Sequence, residues 1–348
     1  MREPEAASSA MWELTKMRLR EFYREKGIIF WVFVFPLLMA IGLGIAFRTR
    51  PAERPRIAVV AEAGGALANA LLESPRLSAE LKDATTARRE LAHAKVDLIV
   101  ELTAAQPSYI FDPALDKAPV AKMVVDSVLQ QAAGRRDPLV TRDVTETHQG
   151  SRYIDFLIPG LIGMNLMGTS MWGVGYNLVL ARKRRLLRRF AVTPMNRANF
   201  LLSYFFSRVL FLVLEISVLV LFGRLLFGSI VQGGLLTLIV VGFLGAASFA
   251  GISLLIGARI ENTESANGWM NLVQLPMWVL SGTFFSYERF PEWLHLPIRF
   301  LPLTALNDAL RAVFNDGASL VGCASQLLVL GLWGATGFLV ALRTFRWQ

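Results

Sequence analysis

Arg182-Lys183-Arg184-Arg185-Leu186-Leu187-Arg188-Arg189 places six cationic side chains among eight residues, between two long apolar runs. Short loops this dense in Lys and Arg stay on the cytoplasmic face of a membrane, because carrying them across the bilayer is strongly opposed. No Asp or Glu occurs from Phe156 to Leu214. The loop therefore presents a concentrated positive surface as well as an orientation signal.

The chain has 348 residues, 54% of them hydrophobic, and a mean hydropathy of +0.45. That is more apolar surface than a soluble domain of this size hides, so the composition describes an integral membrane protein. The formal charge of +9 does not point to nucleic acid, because its excess flanks apolar runs. Between Arg48 and Gly150, 14 Lys/Arg balance 14 Asp/Glu, and the surplus concentrates from Arg182 to Arg197. Topology accounts for such a distribution better than phosphate binding does. Cys323 is the single cysteine, which excludes an intrachain disulfide and a multi-thiolate metal site. His93, His148 and His295 are scattered and read as surface or loop residues rather than a shared metal site.

Six runs are long and apolar enough for a hydrocarbon core that needs about 20 helical residues. They lie near Ile28 to Phe47, Ile154 to Ala181, Ser203 to Phe227, Gly234 to Ala258, Ala266 to Phe285 and Leu320 to Leu342. With the Arg182 loop inside, alternation puts both termini in the cytoplasm. Arg18, Arg20, Arg24 and Lys26 before the first span, and Arg343 and Arg346 after the last, agree. The first span follows a polar arm too long for a secretory signal and is read as uncleaved.

The expected organisation is a polytopic α-helical membrane protein with additions. Residues 1–27 predict an amphipathic helix along the inner headgroup layer, capped by Ser8 or Ser9 and anchored by Trp12 and Tyr23. Residues 28–47 form transmembrane helix 1, and 48–150 an extracytoplasmic α/β domain. In that domain strands are expected at Arg56 to Ala61, Val96 to Leu102 and Ser108 to Phe111. Helices are expected at Ala66 to Leu72, Ala87 to Lys95 and Val120 to Ala133. Asp112, Asp116 and Asp126 read as solvated carboxylates. Residues 151–348 hold helices 2 to 6, with a cytoplasmic loop at 182–197 and a segment at 286–319 broken at Pro302. That segment is predicted to dip into the outer leaflet.

No Gly-x-x-x-x-Gly-Lys-Ser/Thr loop occurs, so nucleotide phosphates are not cradled by that route. Asn267, Asn271 and Gln274 recur at i, i+4 and i+7, one face of the fifth helix, where they serve as interhelical glue or as part of a substrate path. Glu215 is the one carboxylate deep in a span, and reads either as a hydrogen-bonded structural group or as a proton relay. Gly160, Gly163, Gly168, Gly173 and Gly175, with Gly331, Gly334 and Gly337, permit close helix packing.

Leu280-Ser281-Gly282-Thr283-Phe284-Phe285, Phe290-Pro291-Glu292-Trp293-Leu294, Leu301-Pro302-Leu303-Thr304 and Asp308-Ala309-Leu310-Arg311 resemble the closing region of ABC-2 type export permeases, the transmembrane subunits of ABC exporters. The resemblance extends over almost the whole chain, including a basic cytoplasmic loop ending in Val192-Thr193-Pro194. The loop departs from the family pattern in holding no acid. The resemblance implies a coupling helix there, docked on a separate cytoplasmic ATPase through Arg182, Arg185, Leu187, Arg188, Arg189, Phe190, Val192, Thr193 and Pro194. It also implies two permease copies with the substrate path between them; Glu215, Asn267, Asn271 and Gln274, singled out above from the residues alone, are the path candidates, and Pro291, Trp293, Pro302, Asp308 and Arg311 mark the segment read as re-entrant.

On that reading the chain is not an enzyme and binds no cofactor, and ATP and Mg belong to two copies of the partner ATPase. The protein sits in the inner membrane and exports an amphipathic or hydrophobic drug, lipid or natural product. An ion-gradient-driven carrier using Glu215 is the alternative. A membrane enzyme would need a cluster of acids or histidines that the sequence lacks.

Overall fold

The structure, a computed structural model, describes residues 16, 20, 24–47, 54–61, 65–102, 106–115, 117–136, 150, 152–183, 197–260 and 262–344, with only the backbone for 28, 181 and 197–207. Two units emerge, one from residues 1–49 with 147–348 and the other from Arg50–Glu146.

Among the described residues of the first unit, four helices are long and apolar enough to cross a membrane: Tyr153–Leu180, Arg208–Phe227, Leu235–Arg259 and Ala324–Thr344. They coincide with the second, third, fourth and sixth expected spans. The other two expected spans are helical but fall short of that standard. The first, α1, runs Lys26–Ile29, a π turn Phe30–Val34 and Phe35–Ala46, and its apolar part Phe30–Ala46 is short. The fifth carries Glu264 and the three amides, which lower its hydropathy, and it stops at Leu280 because Gly282 turns the chain at φ +68°. Of the expected interfacial helix, Lys16, Arg20 and Arg24 are described and helical; most of it lies outside the described residues.

The second unit is a mixed sheet, β1 (Arg56–Val60), β2 (Ser78–Leu81), β3 (Leu98–Glu101) and β4 (Ser108–Ile110), in the order β2-β1-β3-β4. β1 pairs parallel with β2 and β3, and β4 closes the other edge antiparallel. α2 (Ala66–Leu72) and α4 (Ala118–Ala132) supply Ala68, Leu71, Ala121 and Val125 to a core with Ile57, Val59, Leu98 and Val100. α3 (Ala84–Ala92) sets Ala87 against Ala58 and Ile99, so β1 and β3 are apolar on both faces, as sandwiched parallel strands must be. β2 escaped the sequence reading because Ser-Ala-Glu-Leu is largely exposed and carries no apolar run. Asp112 caps its own turn at Ala114 N. Asp126 accepts from the Tyr109 hydroxyl at 3.0 Å, and burial together with that carboxylate pushes the phenol up to about 12.

The membrane unit continues with α5 (Tyr153–Ser170, a π turn Met171–Tyr176, Asn177–Lys183), α6 (Arg197–Phe227), α7 (Leu235–Arg259), α8 (Thr263–Leu280), α9 (Glu292–Arg299), α10 (Pro302–Asp316) and α11 (Ala324–Thr344). Pro302 occupies the first turn of α10, where its missing N–H costs nothing. Leu303, Leu306, Leu310 and Phe314 are buried, and α10 packs against α5, α7 and α11. Phe300, just before α10, is exposed while its carbonyl accepts from Trp333 Nε1 at 2.8 Å.

Glycines set the closest helix approach. A Cβ on Gly251 of α7 would stand 2.6 Å from Gly334 O of α11, and one on Gly337 would stand 2.6 Å from the Gly251 carbonyl carbon. Gly331, Gly168 and Gly173 meet nothing within 4 Å, so only part of the predicted glycine set serves close packing.

Gly337→Ala forces a methyl into backbone and should cost about 1–3 kcal/mol, lowering the thermal unfolding midpoint in detergent, whereas Gly331→Ala should leave it in place. In the α/β unit, Asp126→Asn removes a charge that disfavours phenolate. The Tyr109 midpoint should then fall from about 12 toward the ordinary 10.0, read as the phenolate absorbance lost in a matched Tyr109→Phe protein.

Candidate functional site

The turn after α8 leaves backbone carbonyls in a buried place, and buried carbonyls need donors. α10 and α5 supply them. Asn307 Nδ2 donates to Ser281 O at 2.9 Å and Thr283 Oγ1 at 3.3 Å. Arg311 donates to Gly282 O, reaches Phe156 O at 3.3 Å, and lies 3.7 Å above the Phe156 ring. Tyr153 donates its hydroxyl to Phe284 O at 2.9 Å. Asp308 faces Arg311 at 3.6 Å and accepts from Tyr287 at 3.4 Å, holding the guanidinium on the turn.

This closeness depends on α5 having no side chain at two places. A Cβ at Gly160 would sit 2.4 Å from Thr283 O, and one at Gly163 would sit 2.0 Å from Asn307 Oδ1. The Ser281–Phe285 and Asp308–Arg311 motifs are thus two halves of one lock closed against α5. Pro291 caps α9 and Trp293 is 74% exposed, so these two stand apart from the lock.

A second polar cluster joins α5 to α6. Glu215 is 2% exposed and pairs with Arg208 of its own helix at 3.3 Å. Arg208 also donates to Thr169 Oγ1 at 3.0 Å and Ser170 Oγ at 2.8 Å, and Thr169 donates to the other Glu215 oxygen at 3.1 Å. A carboxylate with a counter-charge and two donors is held in place. That favours the structural reading of Glu215 over a proton-carrying one. Nearby, Asn165 of α5 donates to Val32 O at 3.0 Å, meeting a carbonyl of the α1 π turn.

The three amides of α8 do not share one environment. Gln274 is buried, and Trp172 Nε1 donates to its Oε1 at 3.2 Å. Asn267 and Asn271 are exposed. The buried stripe follows Ala266, Met270, Gln274 and Met277, and Asn267 and Asn271 lie beside it. Trp269, Leu272, Leu275 and Val279 are exposed beside them.

At the far end of α5, Arg182 donates to Gly257 O at 3.2 Å and Ile260 O at 3.1 Å, closing the last carbonyls of α7 where cations are favoured. Lys183 reaches Thr263 Oγ1 at the start of α8, 3.3 Å away. Arg182, read from sequence as a partner contact, is therefore engaged with helix ends. Arg185, Leu187, Arg188, Arg189, Phe190, Val192, Thr193 and Pro194 lie outside the described residues.

Residues 26–343 match the family described as ABC-2 family transporter protein. The chain belongs to that family. A similar protein is the linearmycin resistance permease protein LnrN of Bacillus subtilis (strain 168), 24% identical over 177 residues, which is 51% of this chain and 46% of that protein. The alignment thus spans under half the length of this curated relative.

In this ABC-2 transporter, Arg208, Thr169, Asn307, Tyr153 and Asn165 carry the polar contacts that sequence reading passed over. Arg208 had a legible signal, since it stands seven residues before Glu215 and so on the same helical face. Asn307 adjoins the Asp308 motif. Tyr153, Asn165 and Thr169 had none, because each finds its partner on another element.

Arg208→Met alone strands a buried carboxylate and should destabilise the protein by about 3–5 kcal/mol. Combined Arg208→Met and Glu215→Leu should recover most of that loss in detergent thermal unfolding. A double variant as unstable as the single one would refute the pairing.

Proposed function

We propose that this chain is the membrane subunit of an ATP-driven exporter, assembled as two permease copies with two separate ATPase subunits in the inner membrane. It crosses six times, with α1 and α8 completing the four longer helices. Both termini are cytoplasmic, and residues 48–150 form an external domain. ATP and Mg bind on the partner.

The observation that carries this reading is the attachment of the basic loop. Arg182 holds the last carbonyls of α7, and Lys183 holds the first hydroxyl of α8. A push on residues 184–196 therefore reaches α5, α7 and α8 together. In sequence Leu187 and Phe190 stand among Arg184, Arg185, Arg188 and Arg189, a composition suited to an acidic-rimmed cleft with an apolar floor. The lock between Ser281–Phe285 and α10 passes movement of α8 to the opposite end, where the 286–319 segment closes the path in the outer leaflet.

Asn267 and Asn271 on an otherwise apolar exposed face support a second copy over α8, since amides facing lipid are costly. The path then runs between the two α8 helices, past Gln274. The relative's name concerns resistance to linearmycin, and together with the apolar walls it supports an amphipathic natural product or drug as cargo.

Leu187→Asp or Phe190→Asp should abolish co-purification of the ATPase and export while membrane insertion is kept. Unchanged co-purification and export would reject the docking assignment. Export that survives ATP depletion and collapses with a protonophore would favour the ion-driven alternative instead.

A further inference from the structure

A groove of about 440 Å³ opens between α1, α5 and the turn that follows α8. Met39, Leu43 and Phe47 line its length at i, i+4 and i+8, a run of about 12 Å at 1.5 Å per residue. Tyr153 and Phe156 form the wall, and Phe47 packs on Tyr153 with ring centroids 4.6 Å apart. Most of this lining is apolar. The exceptions gather at one end, where Ser286 and Arg289 stand together in the short helical turn that the locked carbonyls hold in place.

Arg289 is exposed, and its charge faces the groove without an acid to neutralise it. Among the described residues no carboxylate lies within ion-pair distance of it, although Glu288 and Glu292 are close in sequence. Of the neighbouring arginines, Arg311 faces Asp308 and Arg152 is held by Asp155 at 2.8 Å. An apolar groove whose cation has, among the described residues, no carboxylate partner complements a molecule with a hydrocarbon chain and an anionic end. A second protein copy is a poor fit for it, because a stable interface needs about 800 Å² from each partner.

We propose that this groove is a binding site for a phospholipid of the surrounding bilayer, with one acyl chain along Met39, Leu43 and Phe47 and the phosphate on Arg289 and Ser286. The site is separate from the amide-bearing face of α8. The bilayer supplies its ligand at high local concentration, and a basic mouth beside apolar helices is the chemistry that retains a lipid headgroup. The bound chain fills the space between α1 and the locked turn, so lipid occupancy bears on how firmly α1 is held to the lock.

The test places a photoreactive residue in the channel, Leu43→p-benzoylphenylalanine, in the full chain reconstituted into phosphatidylcholine vesicles with added phosphatidylglycerol. Irradiation followed by mass analysis of the protein should give a phospholipid adduct. Its yield should fall about five-fold with Arg289→Gln, further with Arg289→Glu, and be retained with Arg289→Lys. The same probe at Leu332, which is 55% exposed on α11, should give an adduct indifferent to residue 289. Equal yields at Leu43 whatever stands at residue 289 would overturn the proposal, leaving ordinary boundary lipid. A non-phospholipid adduct dominating after irradiation in cells would overturn it too, giving the groove to transported cargo.

Discussion

Where the chain leaves α8 it must turn in a buried place, and every carbonyl there needs a donor that water does not provide. Ser281 and Gly282 receive theirs from Asn307 and Arg311 on α10, and Phe284 receives its own from Tyr153 on α5. Each such bond contributes about 1 kcal/mol net, more where the donor is charged, but leaving the carbonyl unmet costs more than making the bond gains. The penalty for failure fixes the arrangement. It also explains why Gly160 and Gly163 face the lock, since a single methyl at either would displace the groups that meet there.

Charge inside the bundle follows the same rule. Glu215 is retained next to Arg208, Thr169 and Ser170, and Asp155 is gripped by Arg152 through two contacts of 2.8 Å while accepting from Ser229 at 2.7 Å. Arg152 also reaches Phe227 O at the end of α6, and Asn315 near the end of α10 donates to Asp155 O. One end of α5 is thereby tied to α6 and α10, and the other end is tied to α7 and α8 by Arg182 and Lys183. α5 is the shared strut of the ABC-2 fold in this chain, and a displacement delivered to it has partners on both sides.

Much of this is legible in the sequence. Four of the six expected spans are helices of sufficient length and apolarity, because a run of 20 or more apolar residues has few alternatives to crossing a membrane. α8 was harder to place: its amides and Glu264 dilute the apolar signal, and Gly282 ends it before Phe285. The glycine pattern was readable only as permission. Gly251, Gly334 and Gly337 use it and Gly331 does not, since the difference lies in what the facing helix presents. β2 was missed because an edge strand with exposed polar residues has no periodic burial to report.

Composition, hydropathy and the arginine run determined by themselves that the chain is a multi-pass helical membrane protein, and the motifs from Leu280 to Arg311 were enough to name its family. These are local properties, written in consecutive residues. Tertiary structure alone decided that those motifs close on each other, that Glu215 has a counter-charge, that Arg182 serves a helix end, and that Asn267 and Asn271 part company with Gln274. Each of these depends on which element lies opposite, and a one-dimensional pattern carries the need for a partner without carrying its identity.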